Sequence, residues 1–506
     1  MIIVKKLKKK IIDFFEIDKR NSSIKVEIFA GIATFLAMAY ILIVNPNNIL
    51  WEGPLDPRFS SVFIATALGS FIGTLLMALF AKIPLAQAPG MGLNAMIGTV
   101  LGGALGFSFS YGNAMLIVFL SGVIFFILSV IPMGYDDEKD RFISLREKIF
   151  DGLPLAIRKA IPVGIGLFIT FIGLQNAKII VGNEFTLLSL VDFNNYDLWY
   201  LGSPLCSAIV SLFGLIIISV LSHYKVKGSI IIGVLSSTVL AIFLGVADIN
   251  VLLGKVDGIS WNFWHSFENF FSGNSNNGGI FLSVFKEGLF LPKGSLLTCL
   301  MMVITFCMID MFDTMGTVVA CCTNAKLVDK DGKPYNYDKI MYADSTSTLL
   351  GALLGTSTVT TFVESSAGVA EGGKTGLTSL VTAILFLLSI FLLPLFAFIP
   401  SASASSALIY VGVLMMKNIF DIDFSNVKVA VPSFLTIIIM VLAYSITDGI
   451  GIGIISYFVI DIIIYIIDLI KYKQGKLEIK PKTELNIITS IVLILFLIYF
   501  LIPTVF

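Results

Sequence analysis

Charge is what this sequence has least of. Asp, Glu, Lys and Arg supply only 13% of its 506 residues, about half the ~25% usual in soluble proteins. Apolar types supply 57%, so a soluble domain is excluded. Histidine and cysteine are scarce too. The two histidines, His223 and His265, fall in predicted loops, and no Cys/His cluster has metal-ligand spacing. All five cysteines (Cys206, Cys299, Cys307, Cys321 and Cys322) lie in or beside apolar runs. None is in the long polar loop, which argues against an extracellular disulfide framework. Neither a metal nor a cofactor is called for. The zero net charge says little about partners.

What the chain does have is blocks of apolar residues. Ser60 to Phe80, Met115 to Val130, Leu377 to Phe398 and Ile450 to Ile467 approach or exceed the ~20 residues that cross a bilayer. Only the last holds a charge, Asp461. The predicted fold is an all-α polytopic membrane protein of about 14 spans. They begin near residues 28, 60, 88, 113, 156, 201, 228, 296, 341, 357, 376, 404, 430 and 447. With the N-terminus in the cytoplasm, Arg58, Lys178, Lys255, Lys286 and Lys293 fall outside and the rest of the 34 Lys and Arg residues inside. That asymmetry obeys the positive-inside rule and supports an even span count.

Two ends stay open on sequence alone. Asn486 to Phe506 is apolar enough to span, yet it could equally lie along the membrane or pack on the bundle. Lys5 to Lys10, followed by Ile11, Ile12, Phe14 and Phe15, lacks a small-residue cleavage site after its apolar part. It reads either as a retained segment at anionic lipid or as a solvated basic tail.

The longest polar interruption, residues 247–295, divides the spans seven and seven, so the second half must be inverted relative to the first. The third span of each half is broken by small and polar residues. One break is Ala86-Gln-Ala-Pro-Gly-Met-Gly-Leu-Asn-Ala95, and the other runs from Gly355 through Thr356, Thr361 and Glu364 to Gly368. Broken segments at matching places in inverted halves point to a transport site. Irregular backbone at membrane depth survives only where protein, water or a ligand satisfies it. Gly69 and Gly73, four apart, read instead as helix packing.

Acids inside spans carry the sharpest signal, because an ionisable group there costs from a few to over ten kcal/mol. Asp310 and Asp313 are three apart on one helical face, and Glu364 lies in the second break. Neither segment contains a Lys or Arg. An unpaired carboxylate in such a place tends to take up a proton, as a proton-coupled carrier requires. Asp344 and Asp461 sit alone and read as structural.

The run Asp310-Met-Phe-Asp-Thr-Met-Gly-Thr317, the run Thr356 to Val369, and Gly90-Met-Gly-Leu-Asn-Ala95 resemble the AzgA-like purine permeases of the nucleobase–cation symporter-2 superfamily. The resemblance covers about Glu27 to Asp468, with Asn45-Pro46 after the first span and Tyr410-Val-Gly-Val-Leu414 in the twelfth. It departs in the polar insertion near Ser272 to Gly279 and at the extended C-terminus. It implies a core domain of spans one to four (28–132) and eight to eleven (296–398). The gate domain would hold spans five to seven (154–246) and twelve to fourteen (402–470). Outside these lie a basic cytoplasmic segment (1–27), the extracellular loop (247–295), and a cytoplasmic linker with an apolar segment (471–506).

The resemblance further implies import of hypoxanthine, guanine or adenine with protons at the plasma membrane. Asn94, Asp310 and Glu364 match the family's substrate-binding residues, and Asp313 matches an acid of proton coupling, a role open to Glu364 as well. The chemistry agrees, since a carboxylate can accept from two adjacent N–H groups of a purine and Asn94 offers donors and an acceptor. Phe362 could stack on the ring or simply pack. Ser365 and Thr317, close in sequence to the acids, complete the candidate contacts. The expected partners are the nucleobase, protons and lipid, without nucleic acid. A homodimer, sodium coupling, and a uracil or xanthine substrate stay open.

Other classes fit less well. An anion carrier wants a cation at its site, a channel wants polar residues along many spans, and an enzyme's acid pair must flank its substrate. Gly368-Val-Ala-Glu-Gly-Gly-Lys-Thr375 fits the P-loop pattern, but a P-loop needs a soluble nucleotide-binding sheet around it. It reads as a turn between spans ten and eleven.

Overall fold

The computed structural model describes residues 2–501 except 51–52, 104–105, 137–140, 147, 149–153, 184–185, 196–197, 227, 254–260, 262, 272–278, 329–333, 475, 477–478, 480 and 482–486. The polar insertion therefore lies largely outside the described residues, as do the side chains of residues 1–8 and of His265.

The chain is mostly helical. Its first part holds α1 (Ile2–Phe15), α2 (Ile24–Met38), α3 (Ile41–Ile49), α4 (Phe59–Leu76), β1 (Gln87–Pro89), α5 (Met91–Leu101) and α6 (Tyr111–Val130). After a ribbon of β2 (Pro132–Asp136) and β3 (Arg141–Ser144) come α7 (Leu155–Asn176), β4 (Ile180–Asn183), β5 (Leu187–Leu190), α8 (Pro204–His223) and α9 (Ser229–Phe243). The short α10 (Ile249–Leu252) and α11 (Phe263–Phe271) precede α12 (Leu296–Asn324), α13 (Tyr337–Leu354), β6 (Val359–Thr361), α14 (Ser365–Ala370) and α15 (Gly376–Ser389). The short α16 (Leu393–Ala397) leads to α17 (Ser401–Met415), α18 (Val427–Leu442), α19 (Ile446–Lys473) and α20 (Ile487–Leu501).

Helix starts follow local chemistry. Ser203 caps α8 by accepting from the Cys206 N–H, with Pro204 at the first helical position, where a missing N–H costs nothing. Thr375, Asn426 and Ser445 cap α15, α18 and α19 in the same way. Among the described residues nine helical stretches are long and apolar enough to cross a membrane, and Met91–Leu101, Ser229–Phe243 and Val427–Leu442 are shorter apolar helices. Large apolar side chains such as Phe213, Ile216, Val239 and Phe243 remain exposed along them, as lipid-facing surfaces require.

Three expectations need correction. The protein is not purely helical, because among the described residues six short strands form three two-stranded antiparallel ribbons. The first span runs as α2 and α3 through Ile24–Ile49, so Asn45 and Pro46 lie inside it. Neither Asp344 nor Asp461 is alone. Asp461 pairs with Lys428 Nζ at 2.7 Å, while Asp344 accepts three hydrogen bonds.

Two compact units emerge. One comprises Met1–Phe126, Ile172–Lys293 and Phe306–Tyr410, the other Ile127–Phe171, Gly294–Thr305 and Val411–Phe506. In the first, the basic N-terminal segment folds back. Phe15 and Ile17 bury against Leu377, and Arg20 Nη1 donates to the carbonyls of Lys82 (2.8 Å) and Lys374 (2.9 Å). In the second, small residues let helices approach. A Cβ on Gly164 would strike Met440, and one on Gly453 would strike Thr436. The C-terminal α20 lays Phe496 and Phe500 over Gly451.

Candidate functional site

The first unit brings the two broken segments together. β1 and β6 pair antiparallel, with Gln87 opposite Thr361, Ala88 opposite Thr360 and Pro89 opposite Val359. This answers how unwound backbone is satisfied at membrane depth: each break supplies the other's hydrogen-bond partners. The Gly90 N–H donates to Thr358 O at 2.9 Å and the Phe362 N–H to Ala86 O at 3.0 Å, extending the pairing at both ends. α5 and α14 then begin just beyond the strands.

Side chains lock the crossing. Gln87 Nε2 donates to Asp344 Oδ1 at 2.6 Å, and Gln87 Oε1 accepts from Ser347 at 2.7 Å. Asp344 also accepts from Thr314 (2.7 Å) and Thr361 (3.2 Å), and the hydroxyls of Thr314 and Thr360 meet at 2.6 Å. On the neighbouring side Asn45 Nδ2 donates to Thr66 (2.7 Å) and Thr356 (2.9 Å). Thus α12 and α13 both hold the strand pair by hydrogen bonds in a buried setting, where an unmet partner is costly.

The candidate residues gather around this crossing. Glu364 precedes α14, is buried, and accepts a 2.6 Å hydrogen bond from the Tyr40 hydroxyl at the joint of α2 and α3. The Tyr40 hydroxyl also lies 3.6 Å from Met91 Sδ. Asn94 on α5 is fully buried and accepts from Asn48 Nδ2 at 3.2 Å, while its own Nδ2 has no partner. Asp310 on α12 accepts from Thr348 at 2.7 Å through Oδ2, while Oδ1 has no partner and the side chain is 1% exposed. Asn94 and Asp310 thus leave one donor and one acceptor buried and unspent, and Asn48 Oδ1 is a further such acceptor; buried polar groups in native proteins rarely stay so without a ligand or water.

The remaining candidates divide. Asp313 is half-buried, and the charge it feels most is that of Glu364, whereas Asp310 feels Asp344 ahead of Asp313. The two acids of α12 thus differ in their main charged neighbour, though Asp310 also feels Asp313. Phe362 and Thr317 are buried. The Ser365 hydroxyl accepts from the Ala86 N–H at 3.0 Å, so its hydrogen bonding is directed at the first break.

Tyr40, Asn48 and Gln87 are not singled out from the sequence, and Asp344 is read there as a structural acid standing alone. For Gln87 the signal was its place inside the broken run, and for Asp344 its charge in a span. Tyr40 and Asn48 offered none, because an aromatic or amide on an apolar helix is commonly packing. Among the described residues no group of His, Cys, Asp and Glu could hold a metal ion.

The P-loop-like turn is occupied from within. Glu27, fully buried, accepts from the backbone N–H groups of Lys374 (3.1 Å) and Thr375 (3.2 Å) and from the Thr378 hydroxyl (2.6 Å). The amides that would cradle a phosphate hold an internal carboxylate, and its ties to this turn and to α15 fix the start of α2.

Comparison with known proteins accords with this architecture. The chain is 37% identical to the guanine/hypoxanthine permease PbuG of Bacillus subtilis, over 88% of this chain and 92% of that protein. It is 33% identical to the adenine permease AdeQ of Escherichia coli, over 88% of each. The transmembrane domain of a cyanobacterial bicarbonate transporter, BicA, superposes with a TM-score of 0.54 at 14% identity, covering 85% of this chain and 97% of that one. SLC26A9 gives 0.54 at 12% identity, covering 91% and 69%. At such identities the likeness shows a shared fold. The profile of the Permease family spans residues 25–452, from the Glu27 anchor through both strands and all the candidate acids. The chain belongs to this permease family, on the AzgA-like branch its motifs resemble, and is a membrane permease rather than an enzyme.

Proposed function

We propose that the protein is a secondary active transporter that imports the purine nucleobases hypoxanthine, guanine or adenine across the plasma membrane with protons. The observation that carries this reading is the unspent pair at the strand crossing, Asn94 Nδ2 as donor and Asp310 Oδ1 as acceptor. A purine is flat and neutral and presents N–H donors beside ring-nitrogen or oxygen acceptors, so its edge complements such a pair. The guanine/hypoxanthine and adenine permeases among its relatives support the substrate class.

In this reading Asn94, Asp310 and Glu364 hold the ring edges. Phe362 packs against a ring face, Thr317 borders the site, and Ser365 steadies Ala86. Asp313 carries or stabilises the coupling proton, and its electrostatic link to Glu364 lets substrate and proton sense each other. The topology is fourteen spans as a 7+7 inverted repeat with a cytoplasmic N-terminus. Spans one to four and eight to eleven form the core, and the others the gate.

The test is uptake of radiolabelled hypoxanthine into proteoliposomes under an inward proton gradient. Guanine and adenine should compete, and uracil should not. A protonophore should abolish accumulation, and replacing sodium with choline should leave it intact. Uptake that follows sodium would overturn proton coupling, and indifference to purines would overturn the substrate class.

A further inference from the structure

A cavity of about 510 Å³ opens in the first unit, away from the strand crossing. Asn47 and Pro54 line it beside Gln175, Asn176, Lys178 and the strand backbone at Ile180. Its size falls within the range of small-molecule sites. On the orientation proposed above it lies at the outer face, where Arg58 and Lys178 belong.

Three observations mark it as more than a surface cleft. The Asn47 carboxamide is buried, with neither its oxygen nor its nitrogen hydrogen-bonded. Gln175 and Asn176 end α7 and spend no side-chain hydrogen bond among the described residues. Lys178 follows in a left-handed conformation, φ 58°, and the Ile179 N–H closes the helix end on Leu174 O at 3.0 Å. Glycine is the usual residue there. A lysine at that position puts strain into the backbone and a cation at the cavity, with no carboxylate at ion-pair distance among the described residues.

The cavity and the site meet neighbouring residues of one helix. Asn47 lines the cavity, and Asn48, next on α3, donates to Asn94. We infer that the cavity is an outer docking subsite for a neutral, flat heterocycle bearing an exocyclic oxo group. The Gln175 and Asn176 carboxamides take its donor–acceptor edge and Lys178 its oxygen. Each carboxamide offers both donor and acceptor, which suits a lactam edge. The ammonium favours the oxo group of hypoxanthine or guanine over the amino group of adenine. This inference rests on the nucleobase reading above.

The experiment uses the full-length carrier. Lys178→Met should raise KM for hypoxanthine and guanine about tenfold, with adenine and Vmax unchanged, as expected for one lost hydrogen bond. Asn176→Cys should react with an impermeant maleimide at intact cells against a low background, since all five native cysteines are buried. Hypoxanthine should slow that labelling, and should still do so when Glu364→Gln is added to impair the inner site. Unchanged KM values in Lys178→Met, or protection lost with Glu364→Gln, would overturn the docking subsite while leaving purine transport standing. Wild-type protein without purine uptake would overturn both readings together.

Discussion

Gln87 Nε2 donates to Asp344 Oδ1 at 2.6 Å, joining the first broken segment to a helix more than 250 residues later in the chain. Asp344 collects two further donors, from Thr314 and Thr361, so one carboxylate ties α12, α13 and both strands. Asp344→Asn turns one acceptor oxygen into a donor facing other donors. Leaving buried donors unmet costs about 1–3 kcal/mol, so the variant should melt lower in detergent than wild type. An unchanged melting temperature would show that the crossing holds without this carboxylate.

The Tyr40 hydroxyl donates to Glu364 across 324 positions of sequence. Tyr40→Phe removes the donor and keeps the packing. A hydrogen bond to a charged group is worth about 1.5–3 kcal/mol, so hypoxanthine uptake should fall about 10- to 100-fold at normal expression. Glu364→Gln should remain folded yet lose concentrative uptake altogether, because the amide puts a donor where the ring edge and Tyr40 both need an acceptor. Wild-type accumulation in that variant would remove Glu364 from the mechanism.

Much of this was legible beforehand, for particular reasons. The broken runs at Ala86–Ala95 and Gly355–Gly368 announce themselves because glycine, proline and threonine interrupt apolar helices. The acids announce themselves through the cost of charge in a membrane. That the two breaks pair as strands was hidden, since register depends on which distant backbone comes alongside. The partners of Asp344 were hidden for the same reason. Its three donors come from Gln87, Thr314 and Thr361, and only folding assembles them.

Asp313 separates binding from coupling. Asp313→Asn should bind purine in equilibrium measurements within about twofold of wild type, since it shares no hydrogen bond with the Asn94 and Asp310 pair. It should nonetheless fail to accumulate substrate against a gradient. Lost binding in this variant would place Asp313 among the ring contacts instead.

Gly376 opens α15 against the turn that ends the second span. A Cβ there would strike the Ala78 carbonyl oxygen and stand 3.0 Å from Lys82 Cα. Backbone cannot rotate aside as a side chain can, so Gly376→Ala should cost about 1–3 kcal/mol. The expected readout is reduced yield of monodisperse protein on size exclusion. Gly182→Ala, with nothing within 4 Å of its added methyl, should be indistinguishable from wild type.

The ribbon of β1 and β6 also constrains how this protein can vary by descent. Sliding either strand by one residue would turn every side chain on it to the opposite face, carrying Gln87 away from Asp344 and Thr360 away from Thr314. Single insertions or deletions between Ala86 and Asn94, or between Thr358 and Glu364, are therefore barred unless the partner strand shifts to match. Substitutions are not. Two stretches from opposite halves of the gene are thereby inherited as one spacing, and within it a lineage can exchange side chains, and so its cargo, without altering the frame that holds them.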